Sequence, residues 1–588
     1  MQACRGCHAG IYDSYIKTGM GQSFGLALKS KSVAEFNSRA IYDSIHDFYY
    51  KPFWNDDSLY VEEFRLEGKD TVHRRTEKVS HIVGSGQHTN SHICSFNGYL
   101  FQAPITFYTQ KHQWDFAPGF EAGFNSRFTR VIGLECMTCH NGLPEFEEGS
   151  VNKYKIVRLG IDCERCHGPG EAHVNSKLKS ETIDTSKHID YSIVNPKKLS
   201  RDLQMSLCQR CHLQGLAVLK KGKDFDDFKP GMNLSDVWDV FLPETNENRN
   251  KFIMASHPER LRMSKCYNSS DLSCITCHNP HVSVKETPVE SFNGKCKNCH
   301  QSKSCTEKME VRNEKKDNCS GCHMPKSGSI DIPHVFITDH FISKQLHQPA
   351  TMDSNELNKV KSYLRLKCYT QDNPSAAIMA EAYLSFYEKF SPREYLLDSA
   401  ATYLFGEKTS AMTEEMIHYY FLKKDYSNLV TAGNKIQKDS IQSPWTFYRI
   451  GEAHYLLGNY LPAFQYFNEA YEMQPLNFDF QNKLGAALTQ LGRFDEAKRV
   501  YERILSEHSK FEPAWSNLGY LLMREGDFKK AEEYFDKAIS LNPDYENALV
   551  NMASLCMNTN RMAKAKELAL RIIEINPQNM QAKMVLQK

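Results

Sequence analysis

Two cysteines separated by two residues, with a histidine directly after the second, bring two thiols and an imidazole together on a short stretch of chain. Such thiols add across the vinyl groups of a haem, and the imidazole is then held beneath the iron as its proximal ligand. The pattern occurs seven times: Cys4, Cys7 and His8; Cys136, Cys139 and His140; Cys163, Cys166 and His167; Cys208, Cys211 and His212; Cys274, Cys277 and His278; Cys296, Cys299 and His300; Cys319, Cys322 and His323. Zinc is the competing chemistry, since paired C-x-x-C units build tetrahedral sites. Zinc ribbons usually lack the trailing histidine, which is present here in all seven copies, and an odd number of units leaves one unpaired. The sequence therefore predicts seven covalent haem c groups with seven proximal histidines.

Each iron has a second axial position. His173 follows the Gly168-Pro-Gly turn and is placed to ligate a neighbouring iron, and His281 sits in Cys277-His-Asn-Pro-His281. His88 ends Val83-Gly-Ser-Gly-Gln-His88, whose glycines allow a close backbone approach to something flat or bulky. His257, His334 and His340 complete a set of six distal candidates for seven irons. One group is thus short of an obvious partner. Met20, between glycines after the first motif, an open site there, or one of His46, His81, His92, His112 and His347 fills the gap. Of the five cysteines outside the motifs, Cys266 and Cys305 flank one motif pair and are expected to form a disulfide.

These side chains need elements to hold them. Residues 1–50 carry the first motif and read as amphipathic helix, with Tyr12, Tyr15 and Ile16 on one side. From 58 to 115 the pattern alternates as strands do, clearest at Tyr60–Leu66 and Leu100–Tyr108, with Asn97-Gly98 as a hairpin turn. Residues 136–350 are rich in Pro and Gly loops, so bound haems would supply their core. Beyond Pro349 a 34-residue repeat emerges, with small residues at Gly451, Gly485, Gly519 and Ala553 and again at Ala463, Ala497, Ala531 and Ala565. That is the tetratricopeptide (TPR) signature, and recurring prolines exclude one long coiled coil. The expected fold is mainly α: a loop-rich multihaem cytochrome c domain with a small β-hairpin region over 1–350, degenerate TPR-like helices over 351–443, and an all-α TPR solenoid over 444–588.

A formal net charge of +1 gives no reason to expect nucleic acid as a partner, and no run of eighteen apolar residues suggests a transmembrane helix. The chain enters its first motif at Cys4. The expectation is therefore a form without its leader, working in the periplasm or at the cell surface, where such haems are attached.

The haem region resembles the cytochrome c-552/4 family, related to the tetrahaem electron acceptor of hydroxylamine oxidoreductase. The whole chain resembles bacterial multihaem cytochromes with C-terminal TPR domains. The likeness rests on Gly84–His88, Cys166–His173, Cys277–His281, Cys322-His-Met-Pro325 and Thr338-Asp-His340. It implies bis-histidine haems in close-packed pairs and a role in electron transfer. The Cys-x-x-Cys-Lys attachment of multihaem nitrite reductases does not occur. An electron carrier is the preferred expectation, with a redox protein and a TPR-bound protein or peptide as partners. The alternative is an oxidoreductase acting on a small nitrogen or sulfur compound at one open-site haem.

Overall fold

The first motif lies on a helix, Gln2–Tyr15, that ends when Thr18 turns the chain back: its hydroxyl donates to the Tyr15 carbonyl at 2.7 Å. The structure is a computed structural model describing residues 1–36, 39–121, 123–181, 183–185, 187–244, 255–301, 305–329, 331–344, 365–406 and 413–588. His347 and the boundary expected at residue 350 lie outside the described residues.

After that helix the chain becomes strand: β1 (Phe24–Leu26), β2 (Ile41–Asp43), β3 (Phe48–Asn55), β4 (Ser58–Glu67), β5 (Asp70–Val83), β6 (Thr89–Phe96), β7 (Tyr99–Tyr108) and β8 (Gln113–Phe116). β2 to β8 pair in sequence order, all antiparallel, and β1 pairs with the far end of β5. A register shift between Val79 and His81 divides β5. Its first part pairs with β4 and its last part with β6. Such a bulge bends and twists the sheet, and the result is a nearly closed barrel. Asn97 and Gly98 both have positive φ and turn β6 into β7 as expected.

The barrel corrects the expected fold class. Of the residues, 46% are helical and 17% lie in strands, and the β part is an eight-stranded barrel-like sheet rather than a small hairpin region. The helix expected to continue through residues 1–50 gives way to β1, β2 and the start of β3. The inward side of the sheet explains why the pattern was misleading. In β4 the buried positions are Leu59, Val61, Glu63 and Arg65, and in β5 they include His73, Arg75, Glu77 and Val79. Polar residues mark a solvent face in most antiparallel sheets; here they point inward.

They are satisfied there. The Glu63 carboxylate accepts from Tyr50 Oη at 3.0 Å and Arg127 Nε at 2.8 Å, and His73 Nε2 lies 3.0 Å away. Burial pushes Glu63 upward, but the Arg127 guanidinium outweighs it, and the carboxyl is held at about 2.

The C-terminal quarter is built of antiparallel helix pairs: Pro444–Leu456 with Tyr460–Met473, Phe478–Gln490 with Phe494–Glu507, Glu512–Glu525 with Phe528–Leu541, and Glu546–Asn558 with Met562–Ile575. The small residues let each pair cross closely. A Cβ at Gly451, Gly485 or Gly519 would sit 2.8, 2.6 or 2.7 Å from the ring of Phe467, Tyr501 or Phe535. The fourth pair has Ala553 and, at the ring position, Ala569.

The barrel packs on one edge of this array, against the turns between repeats. The Tyr99 hydroxyl donates to the Leu476 carbonyl at 3.3 Å, Lys510 Nζ reaches Glu77 at 2.7 Å, and Arg65 Nη1 donates to Asp544 at 3.0 Å. Leu476, Lys510 and Asp544 are spaced by 34 residues, so one position of each repeat meets the barrel. Strand Trp238–Glu244 pairs with both Leu216–Leu219 and Arg365–Cys368, tying the motif region to the helices that follow.

Two outcomes test this packing. Gly485→Ala forces a methyl into the Tyr501 ring and costs about 1–3 kcal/mol, as overpacking does, read in urea unfolding by far-UV circular dichroism. Because Glu63 is held below its ordinary 4.5, its stabilisation is complete above that pH and is lost as pH falls toward 2. Glu63→Gln is less stable than the parent at pH 7, and its stability changes less across that acid window.

Candidate cofactor-binding cavity

Cys-x-x-Cys-His spacing on a helical turn puts both thiols on one face, with the histidine one residue further round. The third, fifth and sixth motifs show the local geometry directly: the His167, His278 and His300 amides donate to the carbonyls of Cys163, Cys274 and Cys296 at 2.9, 3.0 and 2.8 Å. Apart from Arg201–His212, which bears the fourth, the helices at the second to seventh motifs are short, and all are joined by loops.

All twenty-one motif side chains line one cavity of about 4830 Å³ between the barrel and the Arg201–His212 helix. Shared among seven motifs this is about 690 Å³ each, within the roughly 300–1,000 Å³ of a cofactor-sized pocket. Its walls carry fifteen Lys and Arg against six Asp and Glu, whereas the whole chain has 72 against 71. A concentration of cations suits a ligand with carboxylates such as the haem propionates. Among the described residues, no three His, Cys, Asp or Glu side chains converge as a metal-ion site of their own.

The histidines are prepared as ligands. Burial lowers His140, His212, His278 and His281, and burial with neighbouring imidazoles lowers His257 and His340, the last to about 4. They are neutral at pH 7, the form that binds metal. His167 and His323 direct Nδ1 at the carbonyls of Val194 and Ser343, each at 2.8 Å, and His340 directs Nδ1 at Thr338 at 3.0 Å. Such second partners fix ring orientation and leave Nε2 for iron.

Three pairs of imidazole rings lie close together, two with planes near parallel and the third, His212 and His257, with planes at 86°. His167 and His281 have centroids 5.9 Å apart and planes within 13°, and His278 and His340 are 6.0 Å apart at 29°. His212 and His257 are 5.5 Å apart, while His257 also meets His340 at 4.6 Å.

The other distal candidates divide. His173 lines the cavity with Nδ1 near Ser192 Oγ (3.2 Å) and Asp190 (3.4 Å). His88 also lines it, but the Gln110 amide faces its Nδ1 at 3.1 Å. Gln110 uses its carbonyl oxygen to accept from the Phe336 amide at 2.7 Å, so its nitrogen is the donor and the His88 proton belongs on Nε2. The glycines before His88 serve the chain itself: a Cβ at Gly84 would meet the Thr89 carbonyl, and one at Gly86 would meet Val33. His334 is not brought to the cavity. It turns to Asp115 (2.8 Å) and packs on Tyr108.

His92, weighed lightly from sequence, is fully buried on Trp114, with Nδ1 3.3 Å from the Ile105 carbonyl and Nε2 without a partner at the cavity wall. His188, from the loop before Asp190, also lines the cavity and has no sequence signal of its own. Met20 lines it too, fixed by the Ile161 amide on its carbonyl at 3.0 Å. Cys266 and Cys305 are free thiols at the cavity, and the expected disulfide is not formed.

The motif cysteines also lie near one another. Cys4 and Cys163, Cys139 and Cys211, and Cys208 and Cys274 are neighbours. Cys166 lies near Cys211, and Cys296 lies near both Cys277 and Cys319.

The family described as "Cytochrome c554 and c-prime" matches residues 122–168, which hold the second and third motifs. Two "Tetratricopeptide repeat" families match 448–514, 482–546 and 522–588. A curated relative, the multihaem cytochrome MtrA of Shewanella baltica (strain OS185), is 25% identical over 183 residues, covering 29% of this chain and 52% of its own length. The chain thus spans about half the length of that relative. Solved tetratricopeptide proteins from Thermus thermophilus (17% identity, 30% of this chain and 98% of that one, TM-score 0.27) and Parabacteroides merdae ATCC 43184 (15%, 36% and 83%, 0.32) are similar over limited parts.

A cavity of this size needs its occupants to stay closed. In the chain made without haem attachment, residues 134–344 exchange their amide hydrogens as unfolded chain does, while β3 to β7 and residues 444–575 stay protected. Hydrogen-exchange mass spectrometry checks this; protection throughout 134–344 would mean that side chains alone hold the cavity.

Proposed function

Given a multihaem cytochrome that carries tetratricopeptide repeats, we propose that the chain relays electrons through seven covalent haems in an order set by its attachment cysteines. The observation that carries this reading is the single cavity lined by all seven motifs. When bound, each haem supplies a one-electron ferric–ferrous couple. The chain's part is to attach, orient and space these groups.

The thiol proximities support an order. They link the first motif to the third, the third to the fourth, the fourth to the fifth, and then the sixth and seventh. The second motif joins this line from the side, at the fourth. An iron between two imidazoles, at about 2 Å from each as in other metal–imidazole bonds, separates the ring centroids by about 6 Å. The spacings of His167 with His281, His212 with His257 and His278 with His340 support these as axial pairs for the third, fourth and fifth groups. His257 and His340 also meet, at 4.6 Å, so the residues that would hold the fourth and fifth groups are in contact.

The multihaem relative favours a place outside the cytoplasm, and the chemistry of haem attachment favours the periplasm or cell surface. No helix among the described residues is long and apolar enough to cross a membrane. The repeats serve to dock a protein partner, a redox protein or an assembly. One observation favours a second reading, an oxidoreductase with an open haem: His334 is engaged by Asp115 away from the cavity, leaving five of the six expected distal histidines there.

Intact-mass measurement of the matured protein is expected to show seven haem additions, and five or fewer would refute the relay as drawn. His281→Ala converts one haem to a high-spin species, seen by electron paramagnetic resonance, with the others unchanged. A spectrum identical to the parent's would break the His167–His281 pairing. In the parent itself, a wholly low-spin spectrum supports the carrier, and a high-spin fraction that binds added ligand supports the enzyme.

A further inference from the structure

Six arginines are buried among the described residues: Arg65, Arg75, Arg127, Arg165, Arg210 and Arg260. Five have a carboxylate in contact: Asp544, Glu77 (2.8 Å), Glu63, Asp226 (3.1 Å) and Asp339 (2.7 Å), respectively. Arg210 has none. Its Nε and Nη2 both donate to Thr138 Oγ1, at 3.0 and 2.8 Å, and its guanidinium lies 5.5 Å from the Phe228 ring centroid. It is 6% exposed and lines the cavity.

Its position is the junction of three motifs. Arg210 and Thr138 occupy the same place, directly before the second cysteine, in the fourth and second motifs. The two motifs lie side by side: Cys139 Sγ is 3.5 Å from the Arg210 carbonyl, and Cys211 Sγ is 3.6 Å from the Thr138 carbonyl. Cys166 of the third motif is close to both Cys211 and Arg210.

An unpaired buried charge is costly, and an apolar residue would hold two helices together more cheaply. Guanidinium stays charged at any working pH. Fixed in a low-dielectric site, its field acts on whatever changes charge nearby. A positive charge disfavours the ferric state relative to the ferrous one. We propose that Arg210 is a positioning residue for charge, raising the reduction potentials of the haems held by the second, third and fourth motifs and making their junction the place where electrons collect. This rests on the relay reading.

The test uses the full matured chain. Intact mass is read first: a parent protein short of haem fails the relay reading itself, separately from this proposal. Spectroelectrochemical titration of the parent, Arg210→Met, Arg210→Lys and Thr138→Asp follows. Arg210→Met removes the charge, and Thr138→Asp neutralises it by giving it a carboxylate. In each, part of the titration curve shifts to more negative potential with the rest in place, while Arg210→Lys stays near the parent. A fully loaded Arg210→Met or Thr138→Asp protein that titrates as the parent does overturns the proposal. Loss of haem from both variants also overturns it, and assigns the Arg210–Thr138 contact to holding the two motifs together.

Discussion

The central constraint on this chain is that its middle third encloses space it cannot fill. Seven attachment motifs converge on one cavity of about 4830 Å³. Apart from Arg201–His212, the helices at the second to seventh motifs are short, and many of their residues are exposed or half-buried. Such short helices have little stability of their own. They need something large and flat to pack on, which the haems of a multihaem cytochrome provide.

That division explains what could be read in the sequence. The seven motifs were legible because their spacing follows a covalent chemistry and does not depend on the fold. The repeats were legible because close helix crossing demands a small residue at a fixed interval, and the Tyr501 ring against Gly485 shows why. The barrel was only half legible. β6 and β7 announce themselves through alternation and the Asn97-Gly98 turn, but β4 and β5 turn Glu63, Arg65, Arg75 and Glu77 inward. A charge that is buried because a partner waits elsewhere in the fold looks like a surface charge until the partner is seen. Arg127, 64 residues from Glu63 in sequence, is such a partner.

The distal candidates were hard for a related reason. A loop histidine declares its type but not its direction. His281 and His340 turn toward motif imidazoles, while His334, six residues before His340, turns toward the barrel, where it hydrogen-bonds Asp115. His92 looked like one more strand residue, yet its free Nε2 lies at the cavity wall. Direction is a tertiary property, set by which acceptor reaches the ring first.

The seam between barrel and repeats has a consequence for how such a protein can change over generations. Leu476, Lys510 and Asp544 meet the barrel at equal intervals along the array. The barrel therefore measures the repeats as a ruler with three marks. Duplication of a unit between Leu476 and Asp544 would carry every later mark one repeat too far. Gene duplication, the ordinary way repeat arrays lengthen, is tolerated only past the last mark, at the C-terminal end. Variation in the number of repeats among descendants of this architecture should accumulate there, while the three turns against the barrel are inherited as a block.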